Sequence, residues 1–178
     1  MGLPFGLELQ EATCAMITEQ YIAGLFDGEG SVSLQVKDNV PKLEVSIHMS
    51  EPASIVLMEI NAKYRGKLYT QNRIHRGRSY RMFSARWTNR DEIDSILTVL
   101  IPYLIIKKEQ AKLARWWVNN CLYKHQCAPW GLDKAREIII ADLKLMKQNP
   151  LMKAEDTIDS ILNCFGSSYA NILRLRGK

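Results

Sequence analysis

The chain has 178 residues, 47% of them hydrophobic, and a formal net charge of +5, enough length to bury one ordinary core. Lys, Arg, Asp or Glu interrupts every apolar run before it is long enough to span a membrane, and the first residues lack the basic and long apolar regions of a signal peptide. Cys14, Cys121, Cys127 and Cys164 form no CxxC pair and His125 fits no common zinc spacing, so free thiols in a reducing, intracellular compartment are expected.

Taken in order, residues 1–15 are a weakly patterned leader, with helical spacing around Glu8 to Met16. Thr18, followed by Glu19 and Gln20, marks a helix start. Tyr21, Ile22, Leu25 and Phe26 then fall at helical spacing to about Asp27. Gly28 and Gly30 end that helix, because Ser31 to Lys37 alternates as a strand does. Asp38-Asn39 supplies a turn, and Leu43, Val45, Ile47 and Met49 mark the apolar face of a second strand. Ser50 is the expected N-cap and Pro52 the first turn of a helix through Ile55, Val56, Met58 and Ile60.

A second hairpin is expected over about Gly66 to Asn72 and Ser79 to Trp87, joined by a basic loop from Arg73 to Arg78. Asn89 or Asp91 caps a helix through Ile93, Ile96, Leu97 and Leu100 that ends at Pro102. Three further helices are expected: Lys107 to Gln126, Leu132 to Gln148 and Asp156 to Phe165, before a basic tail from Arg174 to Lys178. Four strands with one polar face, and helices on the other, give a two-layer α+β sandwich. No strong boundary divides the chain, so residues 1–178 read as one domain.

Charge is unevenly distributed. Lys63, Arg65, Lys67, Arg73, Arg76, Arg78, Arg81, Arg86 and Arg90 are nine basic residues in a tract that contains no Asp or Glu. A solvated face normally mixes signs, so this tract over strand-like sequence points to a polyanion.

The first helix is built against its own stability. Gly24 in its interior costs roughly 0.5–1 kcal/mol relative to Ala. Asp27 and Glu29 stand at its C-terminal end, where the macrodipole repels negative charge. Small residues at Ala23-Gly24 suit a close helix–helix seam, and acids at the helix end suit a cation. The stretch Ile22-Ala23-Gly24-Leu25-Phe26-Asp27-Gly28-Glu29-Gly30 resembles the LAGLIDADG motif of homing endonucleases. The order helix, two strands, helix, two strands, helix is similar to that family's αββαββα fold over about residues 15–125, with residues 126–178 as extra C-terminal helices.

This resemblance implies a curved antiparallel sheet and a metal-dependent, site-specific endonuclease of double-stranded DNA that leaves short 3′ overhangs. With one motif in the chain, it implies a homodimer on a nearly palindromic site. It assigns Glu29 as the catalytic and metal-binding acid, with the Gly28 carbonyl as a second ligand for Mg²⁺ or another divalent ion such as Mn²⁺. Ala23 and Gly24 become the dimer seam, with Asp27 in a structural role at the interface helix. Lys107, after the turn Pro102-Tyr103-Leu104, matches an active-site lysine by spacing, and Lys108 is its rival.

The polar strand faces supply the expected DNA surface: Ser33, Gln35, Lys37, Ser46, His48, Thr70, Asn72, Ser84 and Arg86 for base edges, and Arg73, Arg76 and Arg78 for phosphates. Lys144, Lys147 and Lys153 are further phosphate candidates, or a solvated helix face. The family tends to carry Gln and a basic residue near the end of the second strand. His48-Met49-Ser50 has no basic residue there, and Met49 stands where the Gln is expected. That departure keeps open a second reading on the same fold, a non-catalytic RNA maturase or DNA-binding regulator, with intron RNA as a partner of the maturase. The resemblance implies an intracellular, intron-encoded protein of an organelle (chloroplast or mitochondrion) or a prokaryotic cytoplasm.

Overall fold

A computed structural model describes residues 17–37, 40–50, 54–120 and 132–165. The leader helix, the Asp38-Asn39 turn, Pro52, Cys14, Cys121, His125, Gln126, Cys127 and the basic tail all lie outside the described residues.

Helix α1 spans Glu19–Glu29, and Thr18 caps it by accepting the Tyr21 backbone N–H at 3.2 Å. It runs through Gly28 and Glu29 and stops only at Gly30, whose N–H still bonds the Phe26 carbonyl. Gly30 is required by close approach: a Cβ there would lie 2.4 Å from both the Phe26 carbonyl oxygen and its ring. The chain passes from Gly30 directly into β1 (Gly30–Lys37), which pairs antiparallel with β2 (Val40–Ser50). Ser50, expected as an N-cap, is instead the last residue of β2 and pairs with Met82. The following helix α2 is described over Ser54–Tyr64.

Strands β3 (Lys67–His75) and β4 (Arg78–Trp87) are longer than the sequence suggested. The expected loop from Arg73 to Arg78 shrinks to the two-residue turn Arg76-Gly77, both at positive φ of 50° and 77°. That geometry matches the right-handed twist of a hairpin, so the strands pair up to the turn itself. The sheet order is β1-β2-β4-β3, antiparallel throughout.

Val32, Leu34, Leu43, Val45, Ile47, Ala85 and Trp87 form the buried face of this sheet. Helices α1 and α2 lie on that face, and α3 (Arg90–Leu100), capped by Asn89, packs over both. Trp87 donates from Nε1 to the Tyr64 carbonyl at 2.9 Å, fixing the end of α2 to β4 in the interior. Helix α4 (Lys108–Asn120) packs on α3, and α5 (Leu132–Gln148) against β1. Helix α6 (Ala154–Leu162), shifted two residues earlier than expected, bridges α4 and α5. Its Thr157 hydroxyl donates to Asp142 at 2.8 Å, and its Ala154 N–H donates to Glu109 at 3.0 Å. The two-layer α+β architecture with extra C-terminal helices is the one expected from the element order.

Candidate active site and nucleic-acid interface

The acid-bearing end of α1 is compensated by a loop distant in sequence. The Asp27 carboxylate accepts the backbone N–H groups of Ile105 and Lys107, both at 2.8 Å. In return the Lys107 ammonium donates to the carbonyls of Phe26 (3.0 Å), Asp27 (2.5 Å) and Gly28 (3.4 Å). A helix end carries orphan carbonyls and partial negative charge, and a lysine placed on them answers both. Burial pushes the Lys107 pKa down, against the pull of the Asp27 and Glu29 charges, and the nearby Lys147 charge lowers it further.

Glu29 stands free beside this lock. It is exposed, and among the described residues it makes no ion pair or hydrogen bond. Its charge acts on both Lys107 and His48, so the acid, the lysine and the strand histidine share one neighbourhood. Lys108, the rival of Lys107, is the first residue of α4 and has no hydrogen bond to the α1 carbonyls. Gly28 is exposed, with its carbonyl partly occupied by Lys107.

On α1, Gly24 faces outward, and a Cβ added there meets nothing within 4 Å. Ala23 does not: it is fully buried within this chain, together with Ile22 and Phe26. Its side chain therefore belongs to the core and is corrected from the expected seam. The outward stripe is Tyr21, Gly24 and Gly28, one helical face at spacings of three and four. Ile105 and Ile106, adjoining it through Asp27, are 85% and 59% exposed.

The sheet's open face follows from register. Ser31 pairs with Ser46, Ser46 with Arg86, and Arg86 with Lys67, so these four share one face. Likewise His48 pairs with Ser84 and Ser84 with Tyr69, while Gln71 faces Met82 and Arg73 faces Tyr80. Thr70 and Asn72 pair with Phe83 and Arg81, on the opposite face with Ala85. Both are corrected: the β3 residues beside Arg86 and Ser84 are Lys67, Tyr69, Gln71 and Arg73. The missed signal was Leu68, the apolar residue whose parity marks the helix side.

At the centre of this face, side chains occupy one another. Arg86 lies 3.7 Å from Glu44, donates to Ser84 Oγ at 3.1 Å, and stacks 4.7 Å from the Tyr69 ring centroid. Ser46 Oγ and His48 Nε2 are 3.0 Å apart. Ser46 and Ser84 are only 2% and 3% exposed, so these two expected base readers lie beneath longer neighbours and orient them instead. Burial, and then the Arg86 charge, lowers the His48 pKa below its ordinary value. Met49 points to the helix side and packs against the core, which removes it as a stand-in for a polar active-site residue.

Gln35, Arg73, Arg76 and Arg78 are exposed and Ser33 is half-buried. The Lys37 side chain lies outside the described residues. From the far side, the Lys147 ammonium at the end of α5 comes 3.5 Å from Ser31 Oγ, two residues beyond Glu29. Cys164 is a free thiol, and the other cysteines lie outside the described residues. Among the described residues, no three His, Cys, Asp or Glu side chains gather as a metal cage.

No family model and no curated protein matches the sequence. Solved structures do. The chain is similar to the homing endonuclease I-CvuI in complex with its target in the presence of calcium: TM-score 0.54 and 16% identity, covering 82% of this chain and 93% of that one. A second I-CvuI structure, with magnesium and DNA not cleaved, gives TM-score 0.52 and 13% identity over 80% and 93%. The archaeal intron-encoded homing endonuclease I-Vdi141I, complexed with DNA, gives TM-score 0.50 and 18% identity over 88% and 96%.

Proposed function

We propose that this chain, which has the LAGLIDADG homing-endonuclease fold, is a site-specific, metal-dependent DNA endonuclease acting as a homodimer inside an organelle or a prokaryotic cytoplasm. The observation that carries this reading is Glu29: an exposed carboxylate, unpaired among the described residues, at the end of a helix pinned by Asp27 and Lys107. Asp27 is accounted for by the two N–H groups it accepts, whereas among the described residues Glu29 answers no such group, so stability gives no reason for an acid there.

The donor set fits a hard divalent cation such as Mg²⁺ or Mn²⁺. Glu29 offers a free carboxylate, the Gly28 carbonyl lies next to it, and a small ion of this type needs few protein ligands. When bound, such an ion supplies Lewis-acid stabilisation of phosphate charge and lowers the pKa of an attacking water. The chain's own residues do the rest. Arg73, Arg76 and Arg78 hold phosphates along the β3–β4 hairpin, while Gln35, His48, Gln71 and Arg86 present donors and acceptors to base edges. Lys107 keeps the helix end, and thus Glu29, in place.

The outward stripe of Tyr21, Gly24 and Gly28 supports the dimer, since it lets a second backbone approach closely while Ile105 and Ile106 add apolar area beside it. Two copies then present two Glu29 side chains, one for each strand.

The test is incubation of the protein with Mg²⁺ and DNA carrying the uninterrupted host site. Double-strand cutting is expected, abolished in Glu29→Gln with binding retained in Ca²⁺. Full cutting by Glu29→Gln overturns the assignment of the acid. A second reading, a non-catalytic binder on the same fold, is favoured by the end of β2, which carries His48, Met49 and Ser50 near where the resemblance expects a basic residue. Binding without any nicking would select it.

A further inference from the structure

Three features meet at the acid end of α1. The end of β2 brings only His48 and Ser50 to the open face. Lys107, the nearest lysine in sequence to the turn before α4, directs its ammonium at three α1 carbonyls. Opposite them, α5 lies along β1, and the Lys147 ammonium is 3.5 Å from Ser31 Oγ.

We infer that Lys147, brought beside the acid end of α1 by the C-terminal helices, is the cation that meets the phosphate being cut. This rests on the endonuclease reading above. Lys147 differs from Lys107 in its partners. Among the described residues its one hydrogen bond is long and goes to a neutral hydroxyl, and no carboxylate pairs with it. It is exposed, on a flexible stem, and so free to exchange Ser31 for an anionic oxygen.

The inference also gives the C-terminal helices a task. Helix α5 is tied through Asp142 to Thr157 of α6, and α6 through Ala154 to Glu109 of α4. That chain of bonds anchors the helix bearing Lys147 to the core. In the reaction, water oxygen bonds to phosphorus as one phosphorus–oxygen ester bond breaks, and the proton of water passes to solvent or to the leaving oxygen. Lys147 offsets the charge that builds on the non-bridging oxygens during that exchange.

Lys147→Met and Lys147→Arg test this in the full-length protein. The methionine variant is expected to slow single-turnover cleavage about 100-fold, with its melting temperature unchanged and the arginine variant restoring most of the rate. Measured in Ca²⁺, the slope of log affinity against log salt should fall by about 0.9, the loss of one phosphate contact. Cleavage by Lys147→Met at the unsubstituted rate, or an unchanged salt slope, overturns the inference. If the unsubstituted protein binds DNA without cutting, the endonuclease reading fails, and the slope alone decides whether Lys147 meets a phosphate.

Discussion

Asp27 and Lys107 hold each other in both directions: the Asp27 carboxylate accepts the Lys107 backbone N–H at 2.8 Å, while the Lys107 ammonium donates to the Asp27 carbonyl. Two residues 80 apart in sequence thereby cap two chain segments at once, the C-terminal end of α1 and the loop entering α4. An acid that looks misplaced on α1 alone is a cap for the next layer.

Asp27→Ala removes two charge-assisted bonds and leaves two N–H groups without their acceptor. The expected loss is about 2–4 kcal/mol in denaturant unfolding. Lys107→Met should cost about 1–3 kcal/mol, and the double variant less than the sum, because both act on one lock. Full additivity would show that the two residues act separately.

Gly24→Ala separates folding from association. Within one chain, the new methyl meets nothing within 4 Å, and a helix-interior alanine should stabilise the monomer by about 0.5–1 kcal/mol. At a close seam the same methyl intrudes on the partner. Sedimentation equilibrium should therefore show a weaker dimer while unfolding of the dilute chain shows a more stable one. A dimer of undiminished affinity would remove Gly24 from the seam.

Gln71→Ala and Thr70→Ala test the face assignment on β3. Gln71 lies with Arg73 on the open face, and Thr70 lies opposite with Phe83. Selection from a randomised site should show relaxed base preference at one position for Gln71→Ala, worth about 1–3 kcal/mol. Thr70→Ala should stay within about 0.5 kcal/mol of the unsubstituted protein. The reverse result would shift the strand register.

Asp94 offers a prediction for acid stability. Partial burial pushes its pKa up, but hydrogen bonds from Asn119 and Arg115, at 2.7 and 2.8 Å, outweigh that and hold it below the ordinary carboxylate value. A folded pKa below the unfolded one means stabilisation that is present above the unfolded pKa and lost as pH falls through the folded one. Unfolding scans should show this contribution fading below about pH 4, and Asp94→Asn should flatten that part of the profile. Because the pair is partly exposed, the loss at neutral pH should be about 1 kcal/mol or less.

What the sequence determined by itself was local. Alternation marked Val32, Leu34, Leu43, Val45 and Ile47 as one buried face, and helical spacing marked Ile93, Ile96, Leu97 and Leu100, because period and burial are written in neighbouring residues. The nine residues from Ile22 to Gly30 marked Glu29 as the candidate acid. Tertiary structure decided the rest. The run Tyr69-Thr70-Gln71-Asn72 carries no apolar alternation of its own; Leu68 before it is the one local sign of parity, and pairing with β4 decided that Tyr69 and Gln71 face outward. Small Ser46 and Ser84 vanish under long neighbours, and Ala23 turns to the core while Gly24 turns out. Lys107 and Lys147 approach α1 and β1 across separations of 80 and 116 residues. Such contacts depend on how layers stack, and no local period encodes them.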